Sequence, residues 1–301
     1  MEFGIEKILT ELENDTAGYV IRCESRYESQ IREAAQRIHA IRHKRPIVLL
    51  AGPSGSGKTT TAIKLTHELK KLGLGSVSLS MDNYFLDYDP ETAPRAADGS
   101  RDMESPFCID LQLMGQHFRE LTEGKEVVVP AFDFGMEKRD PTKGTPLRLG
   151  EDEVAIFEGI NALNDAVTQF EGVFSFKLFV SAASEITDVY SSRTTRLIRR
   201  MIRDYNFRSA SPEYTLYLWK NVLEGERLYI EPNRGKADME IDTFLPYEPA
   251  ALRKYAMPLI ESIPEMHEVW TQLSRFPDVS DELISSSSLL REFIGGSEYV
   301  Y

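Results

Sequence analysis

Residues 47–60 read Ile-Val-Leu-Leu-Ala-Gly-Pro-Ser-Gly-Ser-Gly-Lys-Thr-Thr, and the span from Gly52 to Thr59 has the spacing G-x-x-x-x-G-K-T. This is the pattern of a phosphate-binding loop, and each position has a physical task. Gly52, Gly55 and Gly57 lack a β-carbon, so the backbone between them, through Pro53, Ser54 and Ser56, can wrap a phosphate and turn several N–H groups inward. Lys58 brings a point charge to the β- and γ-phosphates. The Thr59 hydroxyl can ligate Mg²⁺, and Thr60 continues the donor-binding stretch. An apolar run, Ile47–Ala51, precedes the loop, and the helical spacing of Ile63, Leu65, Leu69 and Leu72 follows it. Strand, loop and helix in that order predict a site for a nucleoside triphosphate, with the anion at a helix N-terminus.

Working outward, 301 residues hold one large α/β domain with additions or two modest domains. The sequence predicts a helical extension over residues 1–45, a nucleotide-binding domain over 46–247, and a helical segment over 248–301 packed on the core. The net charge of −13 argues against broad binding to nucleic acid or to an anionic membrane. Cys23 and Cys108 have no metal-like or redox spacing, which suits reduced thiols and a cytoplasmic location. The first residues lack the basic and then apolar order of a signal peptide, and no apolar run reaches membrane-spanning length. The oligomeric state, a homo-oligomer included, is left open.

Strands are expected at Ser76–Ser80, Val127–Val129, Val154–Phe157, Ser175–Val180 and Ala237–Ile241. Helical faces are expected around Ile5–Leu12 and Ile31–Ile41, over Leu111–Leu121, over an arginine-rich stretch at 184–205, and from Pro212 onward. Residues 248–295 read as mostly helical, and 86–106 as a long, polar, turn-rich loop. Strands alternating with helices imply an α/β fold: a P-loop NTPase-type three-layer sandwich around a mostly parallel sheet, with lid helices and helical additions at both ends.

Asp82 lies just past the second strand of that sheet, where ligands gather in open parallel sheets. It suits a base for an attacking hydroxyl or a place in a Mg²⁺ shell, and equally a turn aspartate. Glu158 ends an apolar strand in the Walker-B manner and is the leading metal-shell candidate beside the P-loop. Arg196, Arg199, Arg200 and Arg203 recur at three- and four-residue steps, and Arg208 follows. Such a helix is a solvated face or a lid that lays positive charge over a transferring phosphoryl group, and the P-loop favours the lid. Phe132-Asp133-Phe134 is either an aromatic pocket for a planar substrate or two core rings around a turn.

Taken in order, Gly-Pro-Ser-Gly-Ser-Gly-Lys-Thr-Thr, Met-Asp-Asn-Tyr-Phe, Val-Pro-Ala-Phe-Asp-Phe, Ile-Phe-Glu-Gly-Ile and Arg-Arg-Met-Ile-Arg-Asp resemble the uridine kinase/phosphoribulokinase family of P-loop kinases over about residues 46–245. The stretches beginning at Asn161, Leu245 and Leu290 are similar to long bacterial uridine kinase-like proteins, without the threonyl-tRNA synthetase-like N-terminal domain that some of those carry. The resemblance implies ATP and Mg²⁺, with Lys58 and Thr59 on the phosphates and metal. It further implies Asp82 as general base, Glu158 in the metal shell, Arg200, Arg203 and Arg208 as lid arginines, and Tyr84 and Asp133 in the acceptor pocket. The acceptor would be a small hydroxylated molecule, a nucleoside first by analogy. The departures fall there. Where uridine-cytidine kinases read the base with Tyr and His, this chain has Phe132 and Glu137, and their ribose-contacting Asp is matched by Glu104. A kinase for another polyol, sugar phosphate or vitamin-like alcohol is therefore the alternative, and a nucleotide-binding regulatory protein with little turnover is the rival from outside the enzymes.

Overall fold

The computed structural model describes residues 1–96, 98–169 and 175–301. Five strands form one parallel sheet: β1 (Ile47–Ala51), β2 (Gly75–Ser80), β3 (Glu153–Glu158), β4 (Ser175–Ser181) and β5 (Met239–Asp242), in the spatial order β5-β4-β1-β3-β2. Every residue of β1 is buried, as a central strand covered on both faces requires. Side chains alternate across it. Val48 and Leu50 enter one apolar core, whereas Ile47, Leu49 and Ala51 enter the other.

The helices are α1 (Ile5–Ile41), α2 (Lys58–Lys71), α3 (Leu111–Thr122), α4 (Asp165–Thr168), α5 (Ser192–Arg208), α6 (Pro212–Gly225), α7 (Glu248–Ile260), α8 (His267–Leu273) and α9 (Arg291–Ile294). In α1 the two expected helical faces are joined into one rod, broken only where Asp15 leaves helical geometry (φ −157°, ψ 72°). The Asp15 carboxylate accepts from the Gly18 amide at 2.9 Å and so restarts the helix as its N-cap. The long face of α1 (Ile8, Leu12, Val20, Tyr27, Ile31 and Ile38) packs in the same core as α2. Each large aliphatic side chain buried there contributes about 1.5–3 kcal/mol. The arginine-rich helix begins at Ser192 rather than at 184, because Ser191 caps it and Glu185–Ile186 instead forms a short parallel ladder with Glu2–Phe3.

The register decides where the chemistry gathers. Leu50 of β1 and Ser80 of β2 both pair with Glu158 of β3. The P-loop, Asp82 and Glu158 therefore leave the carboxyl end of three neighbouring strands at one level. The crossover from β1 to the edge strand β2, with β3 returning between them, makes this edge the switch point at which open α/β sheets bind ligands.

Candidate active site

The P-loop is held from outside by side chains that occupy its carbonyls. Arg196 donates to the Ser54 carbonyl at 3.3 Å, Arg199 to that of Gly55 at 3.3 Å, and the Thr243 hydroxyl to that of Ser56 at 2.8 Å. Gly55 and Gly57 sit at φ +75° and +83°, a left-handed backbone that favours glycine. At Gly52 the reason is space, since a β-carbon would lie 2.0 Å from the Val180 carbonyl oxygen. The Ser56 hydroxyl is buried without a partner inside this loop, as fits a cradle built for an anion. Lys58 donates to the Pro53 carbonyl at 3.2 Å. Burial lowers its ammonium pKa, while Glu158 and Asp82 pull it back up.

Those two carboxylates act on the lysine's charge. Burial pushes the Glu158 carboxyl up to about 7 against the pull of Lys58. Asp82 lies in the first turn of a short 3-10 helix, Met81–Tyr84, capped by Ser80, whose hydroxyl accepts from the Asp82 amide. Its side chain reaches solvent at the open edge of the cleft, yet surrounding protein desolvates it enough to raise its pKa, with Lys58 and Arg208 opposing. An elevated carboxylate beside a phosphate-binding lysine is suited to accepting a proton from a hydroxyl.

The arginine helix separates into two sets. Arg196 and Arg199 are fully buried: Arg196 pairs with Glu226 at 2.9 Å, and Arg199 makes a two-pronged pair with Glu248 at 2.7 Å. Arg200, Arg203 and Arg208 converge instead on Asp204, at 3.1, 3.0 and 3.4 Å, and Arg200 also donates to the Ser54 hydroxyl at 2.8 Å. The second set has Asp204 as its hub and touches the loop at the Ser54 hydroxyl, so it alone stays a candidate for the expected lid. The first set carries the loop rather than the ligand.

On the opposite side stands Glu104. Burial pushes its carboxyl up to about 7, although Arg200 and Lys58 lower it, and its Oε2 is buried with no partner. Asn161 donates to the Glu104 carbonyl at 2.8 Å and leaves its own Oδ1 buried and unpartnered. Gly225, at the end of α6, lets Glu104 pass close, because a β-carbon there would meet the Glu104 β-carbon at 2.3 Å. Tyr229 donates to Asp102 at 2.8 Å beside them. Phe132 forms a three-ring cluster with Phe85 (5.5 Å) and Phe134 (5.0 Å).

Other expected contacts are committed elsewhere. Tyr84 is fully buried and its hydroxyl bonds His117 Nδ1 at 2.9 Å, so it braces the core under the site rather than facing an acceptor. The Asp133 carboxylate accepts from the Gly135 and Met136 amides, which makes it a turn residue. Glu137 pairs with Arg101, which in turn lies 4.3 Å above the Tyr88 ring. Thr60 is buried and donates to Glu292 at 2.6 Å, with the Tyr301 hydroxyl 3.1 Å away. Sequence reasoning assigned no role to Glu292, Asn161 or Asp204. Asp204 had a local signal in the Arg-Arg-Met-Ile-Arg-Asp run, whereas Glu292 had none near the loop it touches.

A β1–P-loop–α2 unit, strand-end carboxylates and an arginine helix define a P-loop kinase of the three-layer α/β type. The chain belongs to the Phosphoribulokinase / Uridine kinase family, whose sequence model matches residues 47–246. Among its relatives, the uridine kinase of Deinococcus deserti is 30% identical over 201 residues, covering 66% of this chain and 88% of that one. The uridine kinase of Brevibacillus brevis is 28% identical, with 65% and 84% covered. A structure from Silicibacter, provisionally described as a fructose transport system kinase, shares the fold with a TM-score of 0.52 at 21% identity, covering 70% of this chain and 98% of that one.

Proposed function

We propose that this protein transfers the γ-phosphoryl group of ATP to a hydroxyl of a nucleoside. The observation that carries the reading is the gathering of the P-loop, Asp82 and Glu158 at the carboxyl ends of three neighbouring strands, with Glu104 Oε2 buried and unpartnered and its carboxyl within the field of Lys58. The uridine kinase names of the relatives support the nucleoside as acceptor.

Lys58 and the loop amides hold the phosphates, and Asp82 accepts the proton of the attacking hydroxyl. Arg200 and Arg203, and Arg208 from the end of α5, lay positive charge over the transferring group while Asp204 keeps them aligned. Glu104 and Asn161 offer acceptor and donor atoms to the sugar, and the Phe85/Phe132/Phe134 rings offer an apolar wall for a base.

Among the described residues no group of three or more His, Cys, Asp or Glu forms a self-sufficient metal cage. Mg²⁺ in kinases is held through one or two protein oxygens and completes its shell with phosphates and water. Thr59 and Glu158 would hold it here, and it would neutralise charge between the β- and γ-phosphates.

Labelled ATP offered to a panel of nucleosides and polyols tests the reading. Turnover of uridine, cytidine or another nucleoside is expected. If every nucleoside is inert while one polyol is phosphorylated, the acceptor assignment fails and the donor assignment stands.

A further inference from the structure

The family match ends at residue 246, yet a later segment reaches the P-loop. Glu292 of α9, 8% exposed, accepts from Thr60 at 2.6 Å and lies 3.9 Å from Arg203. Lys58, Glu158 and Arg208 all feel its charge. Beyond it, Gly295 and Gly296 turn the chain at φ +86° and +73°, and a β-carbon at Gly295 would stand 3.3 Å from the Phe207 ring. The chain then runs back over α2, where Tyr299 packs edge-on against His67 at 5.4 Å and the Tyr301 hydroxyl reaches Thr60.

Between this segment and α5 lies a cavity of about 570 Å³, a size suited to a nucleoside. Thr59, Arg203 and Arg208 line it together with Arg291, Glu292 and the rings of Phe207, Tyr299 and Tyr301. Phe207 and Tyr301 are each more than half exposed, so large ring surfaces stand uncovered in a cavity that also carries three arginines beside the P-loop helix. Cationic groups and open rings in one cavity match the phosphates and the base of a nucleotide.

We infer that residues 291–301 are part of the donor site: Glu292 anchors the segment to the P-loop helix, and Tyr299 and Tyr301 form the wall against which the donor's base rests. This rests on the reading of the P-loop as a triphosphate site. Aromatic side chains that stack a base recognise a part of the ligand the P-loop never touches.

Calorimetric titration of the full chain with Mg²⁺ plus ATP, and separately with Mg²⁺ plus inorganic tripolyphosphate, tests this inference. Tyr299→Ala and Tyr301→Ala are expected to weaken ATP by about tenfold each and to leave tripolyphosphate unchanged. Equal losses for both ligands, or no loss for either, would overturn the inference, since a merely structural segment affects both alike. If the unaltered chain binds neither ligand, the triphosphate reading itself has failed.

Discussion

The two halves of the cleft are built on opposite terms. On the donor side most charges are neutralised within the fold: loop carbonyls accept from buried arginines, those arginines hold Glu226 and Glu248, and three further arginines share Asp204, while the Ser56 hydroxyl and Arg196 Nε stay buried without partners. On the proposed acceptor side Glu104 Oε2 and Asn161 Oδ1 are buried with no partner, and in the Phe85/Phe132/Phe134 cluster the Phe134 ring is half exposed. Buried polar atoms without partners are costly, so they persist where a ligand completes them. The donor half is built of paired charges around a few open polar atoms, and the proposed acceptor half offers its unpaired atoms to hydroxyls.

Asp82→Asn should break the junction of the two halves most severely. A general base contributes about 10²–10⁴-fold, so kcat should fall by about a thousandfold while ATP affinity stays close to that of the parent. Steady-state kinetics with a parallel ATP titration reads both, and undiminished kcat would remove Asp82 from proton transfer.

Arg199→Met should break the cradle instead. Removing one partner of a buried ion pair costs about 3–5 kcal/mol, read as a lower urea midpoint. Arg200→Met, on the ligand side of the same helix, should cost little stability and most of the turnover. Equal stability losses for the two would erase the division within α5.

Glu104→Gln should sharpen the acceptor half, raising the acceptor KM by roughly tenfold with the ATP KM unmoved. A pH effect accompanies it. With its carboxyl pushed to about 7 from the usual 4.5, the folded chain holds a proton that the unfolded chain releases. Stability therefore falls as pH rises from 4.5 towards 7, and levels off above. The glutamine variant should lose the share of this slope that Glu104 contributes, while Glu158 keeps its own, and should gain melting temperature over the parent at pH 8 but not at pH 4.5. Parallel melting curves across that range would contradict the burial of Glu104.

The smallest effect is expected from Phe132→Tyr, which adds one hydroxyl to the aromatic wall. A few-fold change in preference among nucleosides, read as kcat/KM ratios, would place Phe132 against the base; identical ratios would place it in the wall's interior.

Much of the donor half was legible in the chain because its signals are local. The glycine spacing, the apolar strands before Gly52 and Glu158, and the turn at Asp82 each lie within a dozen residues. The arginines were legible as a row but not as two sets. Steps of three and four residues place side chains on one broad face, and only the docking of α5 on the P-loop and α7 buries Arg199 while leaving Arg203 near the cleft. Tyr84 and Glu137 misled for a related reason. Their partners, His117 and Arg101, lie 33 and 36 residues away, beyond any periodic pattern.

The sequence by itself determined that a P-loop stands at Gly52–Thr59, that a parallel sheet carries it, and which acids end its strands, since β-carbon sterics and side-chain alternation act between near neighbours. The tertiary structure alone decided which charges are neutralised within the fold and which are left for a ligand. It also brought Glu292 from α9 onto Thr60, across 232 residues. Pairing of that kind depends on which surfaces the folded chain buries together, and no local spacing encodes it.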